Sequence, residues 1–134
     1  MTELSVMAAF KDRLIAEAPS GLQVFFPGFQ KTPPQQGGWL EAKLFPAPPV
    51  ARTWANTNQI SGFFQVLVCW RNGVGVEPAY QAAQVVGGIF PYGLRLGPVK
   101  VSSRPNIGPA VPEDSFFFVT VTIPYLGSDS EQQP

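Results

Sequence analysis

Two stretches of this chain alternate with a period of two and are apolar on both sides of the alternation. In Gln59–Trp70, Phe64, Val66, Val68 and Trp70 share one side, and Phe63, Gln65, Leu67 and Cys69 share the other. In Ser115–Tyr125, Phe117, Val119, Val121, Ile123 and Tyr125 fall together, opposite Phe116, Phe118, Thr120 and Thr122. Successive side chains of a strand point to opposite faces, so this period marks strands. Apolar residues on both faces of Gln59–Trp70 place it inside a sheet or under cover on two sides. Pro124 has no N–H for a ladder and puts its end of the last strand at an edge or a bulge. Trp39–Phe45 alternates more strictly: Leu40, Ala42 and Leu44 oppose Glu41 and Lys43, the pattern of a half-buried strand. Leu22–Phe26, Leu94–Leu96 and Val99–Ser102 read as shorter strands.

Two segments change period. Leu4, Met7, Phe10 and Leu14 recur at spacings of three and four, one face of a helix that Thr2 can cap and that Pro19 and Gly21 end. Glu77–Ile89 is a small-residue helix, with Pro78 tolerated in its first turn, a packing stripe of Ala79, Ala82, Ala83 and Val86, and Gly87-Gly88 at its end. Between these elements lie loops at Gln30–Gly38, Pro46–Asn58 and Ser103–Asp114, each rich in Pro or Gly, and a turn at Asn72-Gly73. Runs of strands separated by two helices predict an α+β fold: a mixed or antiparallel sheet of about five strands flanked by two helices, with long Pro-rich loops. At 134 residues the chain suits one domain, expected over residues 1–126, followed by a disordered polar tail over 127–134.

Composition narrows the chemistry. Nine Lys and Arg balance nine Asp and Glu, so no net field draws the chain to nucleic-acid phosphates or anionic lipid. There is no His, which removes the commonest general base and metal ligand together with Ser–His and Cys–His catalysis. The single Cys69 allows neither an internal disulfide nor a thiolate zinc site. Charged side chains make up 13% of the chain, about half the usual ~25%. With eleven Phe and three Trp, that leaves apolar surface for another subunit to cover. Charges interrupt the first eighteen residues, which read as neither a signal peptide nor a spanning segment, and the expected setting is a cytoplasm.

The candidate chemical motifs are weak. Glu113-Asp114 has no nearby His or Lys and reads as a solvated loop pair sooner than an acid pair. Gly73-Val74-Gly75 lies between a strand and a helix, but Pro78 occupies the last glycine position of a dinucleotide fingerprint, so a tight turn is the better account. Cys69 lies within a strand with no charged neighbour on its own face, the setting of an inert thiol. The aromatics do not alternate with a basic cluster, as stacking on single-stranded nucleic acid requires. Trp54, beside Arg52 in a polar loop, is either an interface anchor or a ring folded back over its own core. The chain therefore reads as an assembly component, with no cofactor and no catalytic residue.

The order of features resembles the tail terminator (tail-completion) proteins of long-tailed, lambda-like bacteriophages. It runs from the N-terminal helix through Val24-Phe25-Phe26-Pro27 and Pro33-Pro34 to Gly37-Gly38-Trp39-Leu40-Glu41-Ala42-Lys43-Leu44-Phe45-Pro46. It continues with Gly62-Phe63-Phe64-Gln65-Val66-Leu67-Val68, Gly73-Val74-Gly75 ahead of the Ala-rich helix, Phe90-Pro91, and Val119-Thr120-Val121-Thr122-Ile123-Pro124-Tyr125. The resemblance spans roughly Leu4 to Tyr125; the Pro-rich loops and Gly87-Gly88 depart from it. It implies a non-enzymatic virion protein, assembled in the host cytoplasm, that forms a ring, a hexamer by the family pattern. Such a ring caps the tail tube protein, ends polymerisation and offers its other face to the head–tail connector (stopper) protein. DNA at most passes through it, and no membrane is involved. Candidate contact residues are Arg52, Trp54 and Asn56 in the first long loop, Arg71 and Asn72 at the turn, and Arg104, Glu113 and Asp114 in the second loop. Alternatives are a head-side neck protein of the same virion, or a small ligand-binding α+β domain.

Overall fold

In a computed structural model of the chain, the described residues are 2–18, 21–26, 36–46, 50–52, 57–73, 75–97 and 99–130. The elements run α1 (Thr2–Glu17), β1 (Gln23–Phe25), β2 (Gly38–Pro46), β3 (Val50–Arg52), β4 (Thr57–Arg71), α2 (Glu77–Ile89), β5 (Arg95–Leu96), β6 (Val99–Val101), β7 (Asn106–Pro112) and β8 (Phe116–Ser130). One sheet holds all the strands in the order β1-β2-β4-β8-β6-β5, with β3 also on β4 and β7 also on β8. β1 runs parallel to β2, and the other pairings are antiparallel. The fold is α+β with two helices and a mixed sheet, but the sheet has eight strands where about five were expected.

The extra strands come from segments whose prolines suggested loops. Within Pro46–Asn58, Val50–Arg52 pairs with Thr57–Gln59, so β3 extends the arm begun by β2. Within Ser103–Asp114, Asn106–Pro112 forms β7 against β8. The register shifts between Ile107 and Ala110, which sets Gly108 and Pro109 out of the ladder. β7 has a strand on one side only, so a proline's missing N–H costs no interior ladder bond there. β8 also outruns its apolar alternation: Leu126–Ser130 continues the ladder with Thr57–Ser61, which brings residues 127–130 of the expected tail into the strand.

β4 and β8 are the spine. They pair from Thr57 with Ser130 to Arg71 with Phe116, and strands of 15 residues span about 50 Å. Both helices pack on one face of this ribbon. Leu40, Ala42, Phe64, Val66, Val68, Phe117, Val119, Val121, Ile123 and Tyr125 are buried there. From α2 come Ala79, Ala82, Ala83 and Val86, the expected stripe, joined by Ile89. From α1 come Val6, Phe10 and Leu14, whereas Met7, expected on the buried face, is 46% exposed at its flank. Phe10 stacks on Phe64 at 4.8 Å and lies 5.4 Å from Phe90 and 5.5 Å from Tyr125. The Arg13 Nε–H donates to the Ile89 carbonyl at 2.6 Å, placing a cation at the end of α2 where helix carbonyls lack partners.

Candidate assembly surface

The second face of the sheet carries the alternate set of side chains. Register places Phe25 from β1, Trp39, Glu41, Lys43 and Phe45 from β2, and Phe63, Gln65, Leu67, Cys69 and Arg71 from β4 on it. From β8 come Phe116, Phe118, Thr120 and Thr122. Both helices belong to the core on the opposite face, and among the described residues no helix lies on this one. Phe25, Phe45, Phe63, Leu67, Phe116 and Phe118 are half-buried here and lie outside the main core. Phe45 stacks on Phe63 at 5.0 Å.

At one end this face is closed by a clasp. The Trp39 indole N–H donates to Glu41 Oε2 at 2.8 Å, and the Cys69 Sγ lies 3.8 Å from the same oxygen. Phe116 packs 5.2 Å from the Trp39 ring, and the Arg71 guanidinium lies 4.9 Å over it. Arg71 Nη1 donates to the Ser115 hydroxyl at 2.9 Å, and its backbone N–H to the Gly37 carbonyl at 2.9 Å. Trp39 and Cys69 are buried under this cover although they lie on the helix-free side. A cation over an indole contributes about 0.5–1 kcal/mol at an exposed site, so Arg71 ties the ends of β2, β4 and β8 together.

The sequence-derived candidates are scattered over three places. Arg71 and Asn72 share the clasp end with Glu113 and Asp114: the Asn72 N–H lies 3.4 Å from the Ser115 carbonyl, and the Glu113 N–H donates to the Phe116 carbonyl at 2.8 Å. Asn72, Glu113 and Asp114 are exposed. Arg104 is exposed ahead of β7, away from that end. Arg52 pairs with Thr57 at the far end of β4, and Trp54 and Asn56 lie outside the described residues. Gly73 and Gly75 take positive φ of 115° and 82°, the conformation a tight strand-to-helix turn asks of glycine. Among the described residues no group of three His, Cys, Asp or Glu could hold a metal ion, and no helix is long and apolar enough to cross a membrane.

A half-apolar sheet face that no helix covers among the described residues is the kind of surface a partner can desolvate. The profile of the phage tail terminator proteins matches residues 5–125. The chain belongs to the phage tail terminator protein family. Its role is structural and its place is the virion tail. Another solved protein chain is 30% identical to this tail terminator family member, over 100% of this chain and 99% of its own, with a TM-score of 0.78. A chain in the virion of a native gene transfer agent particle shares the fold at a TM-score of 0.65 and 16% identity, over 95% of this chain and 97% of its own. No curated protein sequence matches the family member.

The clasp and the grouping of half-buried aromatics were not read from the sequence. Their signal was present in the two-sided apolar pattern of Gln59–Trp70, but which side the helices would leave open depends on packing. Glu41 and Cys69 are 28 positions apart and meet only through the β2–β4 register.

Proposed function

We propose that this protein caps the tail tube as a ring, a hexamer by the family pattern, stops tube polymerisation, and presents its other face to the head connector. Assembly takes place in the host cytoplasm, and DNA passes through the lumen without sequence-specific contact. The observation that carries the reading is the helix-free sheet face. Six half-buried aromatic and aliphatic side chains on one side of a sheet are the kind of surface that subunit contacts desolvate. Family membership and the fold shared with a gene transfer agent virion chain support the same role. Arg52, Trp54, Asn56, Asn72, Arg104, Glu113 and Asp114 are proposed contacts to tube, connector or neighbour. Arg71 contributes by holding the clasp that shapes this end.

Electron microscopy of lysates from phage lacking the gene tests the role. Tubes that run past the normal length and fail to join filled heads are the expected result. Tails of normal length beside unjoined heads would instead assign the protein to the head side of the neck, and infectious particles would remove it from assembly altogether.

A further inference from the structure

Both helices turn an almost uncharged side to solvent. On α1, Ala8, Ile15 and Ala16 share the exposed side with one charge, Asp12. On α2, Gln81, Gln84, Val85 and Gly88 form the exposed side, with no charge among them. Ile15 is 55% exposed and Val85 49%. Surface helices of soluble proteins carry their charged residues on this side. Depletion of charge is the composition of a surface that another protein covers.

The exposed charges that flank these sides are sorted by face. Asp12, Glu17 and Glu77 are exposed on the helix side. The two cations of α1 are engaged: Lys11 Nζ lies 5.3 Å from the Phe26 centroid, and Arg13 donates to the Ile89 carbonyl. The helix-free sheet face has the reverse sign. Lys43 is exposed on it, with its Nζ 5.0 Å from the Phe45 centroid. Val99 and Val101 are buried in the core, so Lys100 between them and its cross-strand partner Arg95 fall on the helix-free side, and both are exposed. Like charges directly opposite on neighbouring strands repel, and an acidic surface laid against them relieves this. Among the described residues Glu41 is the one carboxylate that register places on this face, and it accepts the Trp39 indole N–H.

We propose that the helix layer of one copy seats on the helix-free sheet face of the next, with Ile15 and Val85 over its aromatics and Asp12, Glu17 and Glu77 toward Lys43, Arg95 and Lys100. The proposal rests on the ring reading and gives both sides of its contact. A sheet apolar on both faces is the middle of three layers; each copy supplies two of them, and its neighbour's helices supply the third. Over Phe63–Arg71 the open face is about 25 Å long and, at four to five strands, about 20 Å across. That outline is roughly 500 Å², more than half of the ~800 Å² each partner gives to a standard interface. The two surfaces lie on opposite sides of the molecule, so the join is head-to-tail and closes into a ring by rotation. A two-fold pair through the sheet faces would set cations toward cations instead.

Sedimentation of full-length variants tests it. Lys43→Glu with Lys100→Glu, and separately Asp12→Lys with Glu17→Lys, set like charges across every contact, and each pair is expected to weaken self-association about tenfold or more. Ile15→Ser with Val85→Ser changes no charge and is expected to weaken it to a similar degree, about tenfold, by removing apolar contact. An equimolar mixture of the two charge-reversed variants brings opposite charges together where unlike copies alternate. It is expected to regain the wild-type mass, which also shows that both variants fold. Undiminished assembly in all three variants would overturn this contact and leave the ring reading standing, with the tail tube or the connector as what covers the open face. A mixture that fails to recover would overturn the contact as well. Wild-type protein that stays at its 14.5 kDa monomer mass would overturn the ring reading and the contact with it.

Discussion

Gly62 illustrates how much a single position can decide. It pairs with Pro46 on one side and Tyr125 on the other, so three strands meet across it. Its φ is +154°. A Cβ there would collide with the Phe45 carbonyl oxygen and stand 2.7 Å from the Tyr125 hydroxyl and 2.9 Å from Pro46 Cα. Two of these three neighbours are backbone and have little room to yield. Gly62→Ala is therefore expected to cost about 3 kcal/mol, a large fraction of the ~5–15 kcal/mol that holds a domain folded. Urea unfolding would read it as a lower midpoint at unchanged slope. A midpoint equal to wild type would mean that the strands can separate here.

Among the elements, α2 holds a glycine that folding does not require. Gly87-Gly88 lies in the last turn of the helix, which closes at Ile89 as expected, with the Phe90 N–H donating to the Gly87 carbonyl at 3.2 Å. A Cβ on Gly87 would reach only ordinary contact with Pro105 Cβ at 3.7 Å, and one on Gly88 would meet nothing within 4 Å. Gly88→Ala removes backbone freedom from the unfolded chain and introduces no clash. It is expected to stabilise by about 0.5 kcal/mol and raise the Tm by about 2 °C in a thermal melt. A lower Tm would show that this site needs glycine for a reason other than space. The prolinated β7 is the opposite case: it survives as a strand because it lies at an edge and because the Tyr80 hydroxyl of α2 accepts the Ala110 N–H at 3.0 Å.

At the scale of the whole molecule, charge balance makes its own prediction. Nine cationic and nine anionic side chains leave no net field to gather phosphates. Affinity for duplex DNA of any sequence comes chiefly from cations that release counterions, so this protein is expected to bind no tighter than about 10⁻⁴ M at physiological salt. Fluorescence anisotropy with a labelled duplex measures this directly. Micromolar, steeply salt-dependent binding would mean that the protein concentrates its cations on one surface, which net charge does not register.

The sequence by itself determined the elements and their kind. Side-chain periods of two and of 3.6 are local consequences of backbone geometry, so Gln59–Trp70, Ser115–Tyr125, Leu4–Leu14 and Glu77–Ile89 were legible from spacing alone. The alanine stripe of α2 was legible for the same reason. What spacing does not carry is which strands are neighbours. β3, β7 and the last residues of β8 are strands because a partner ladder satisfies their backbone groups, and that outweighs the prolines and polar residues that mark loops. The same long-range pairing brings Glu41 to Cys69 and Arg71 to Ser115, and separates Arg52 from Arg71 by the length of β4. Only the tertiary structure decided which side of the two-sided strands the helices cover. A sheet with two apolar faces is underdetermined until the helices commit to one, and the face they leave uncovered is the surface proposed here for subunit contact.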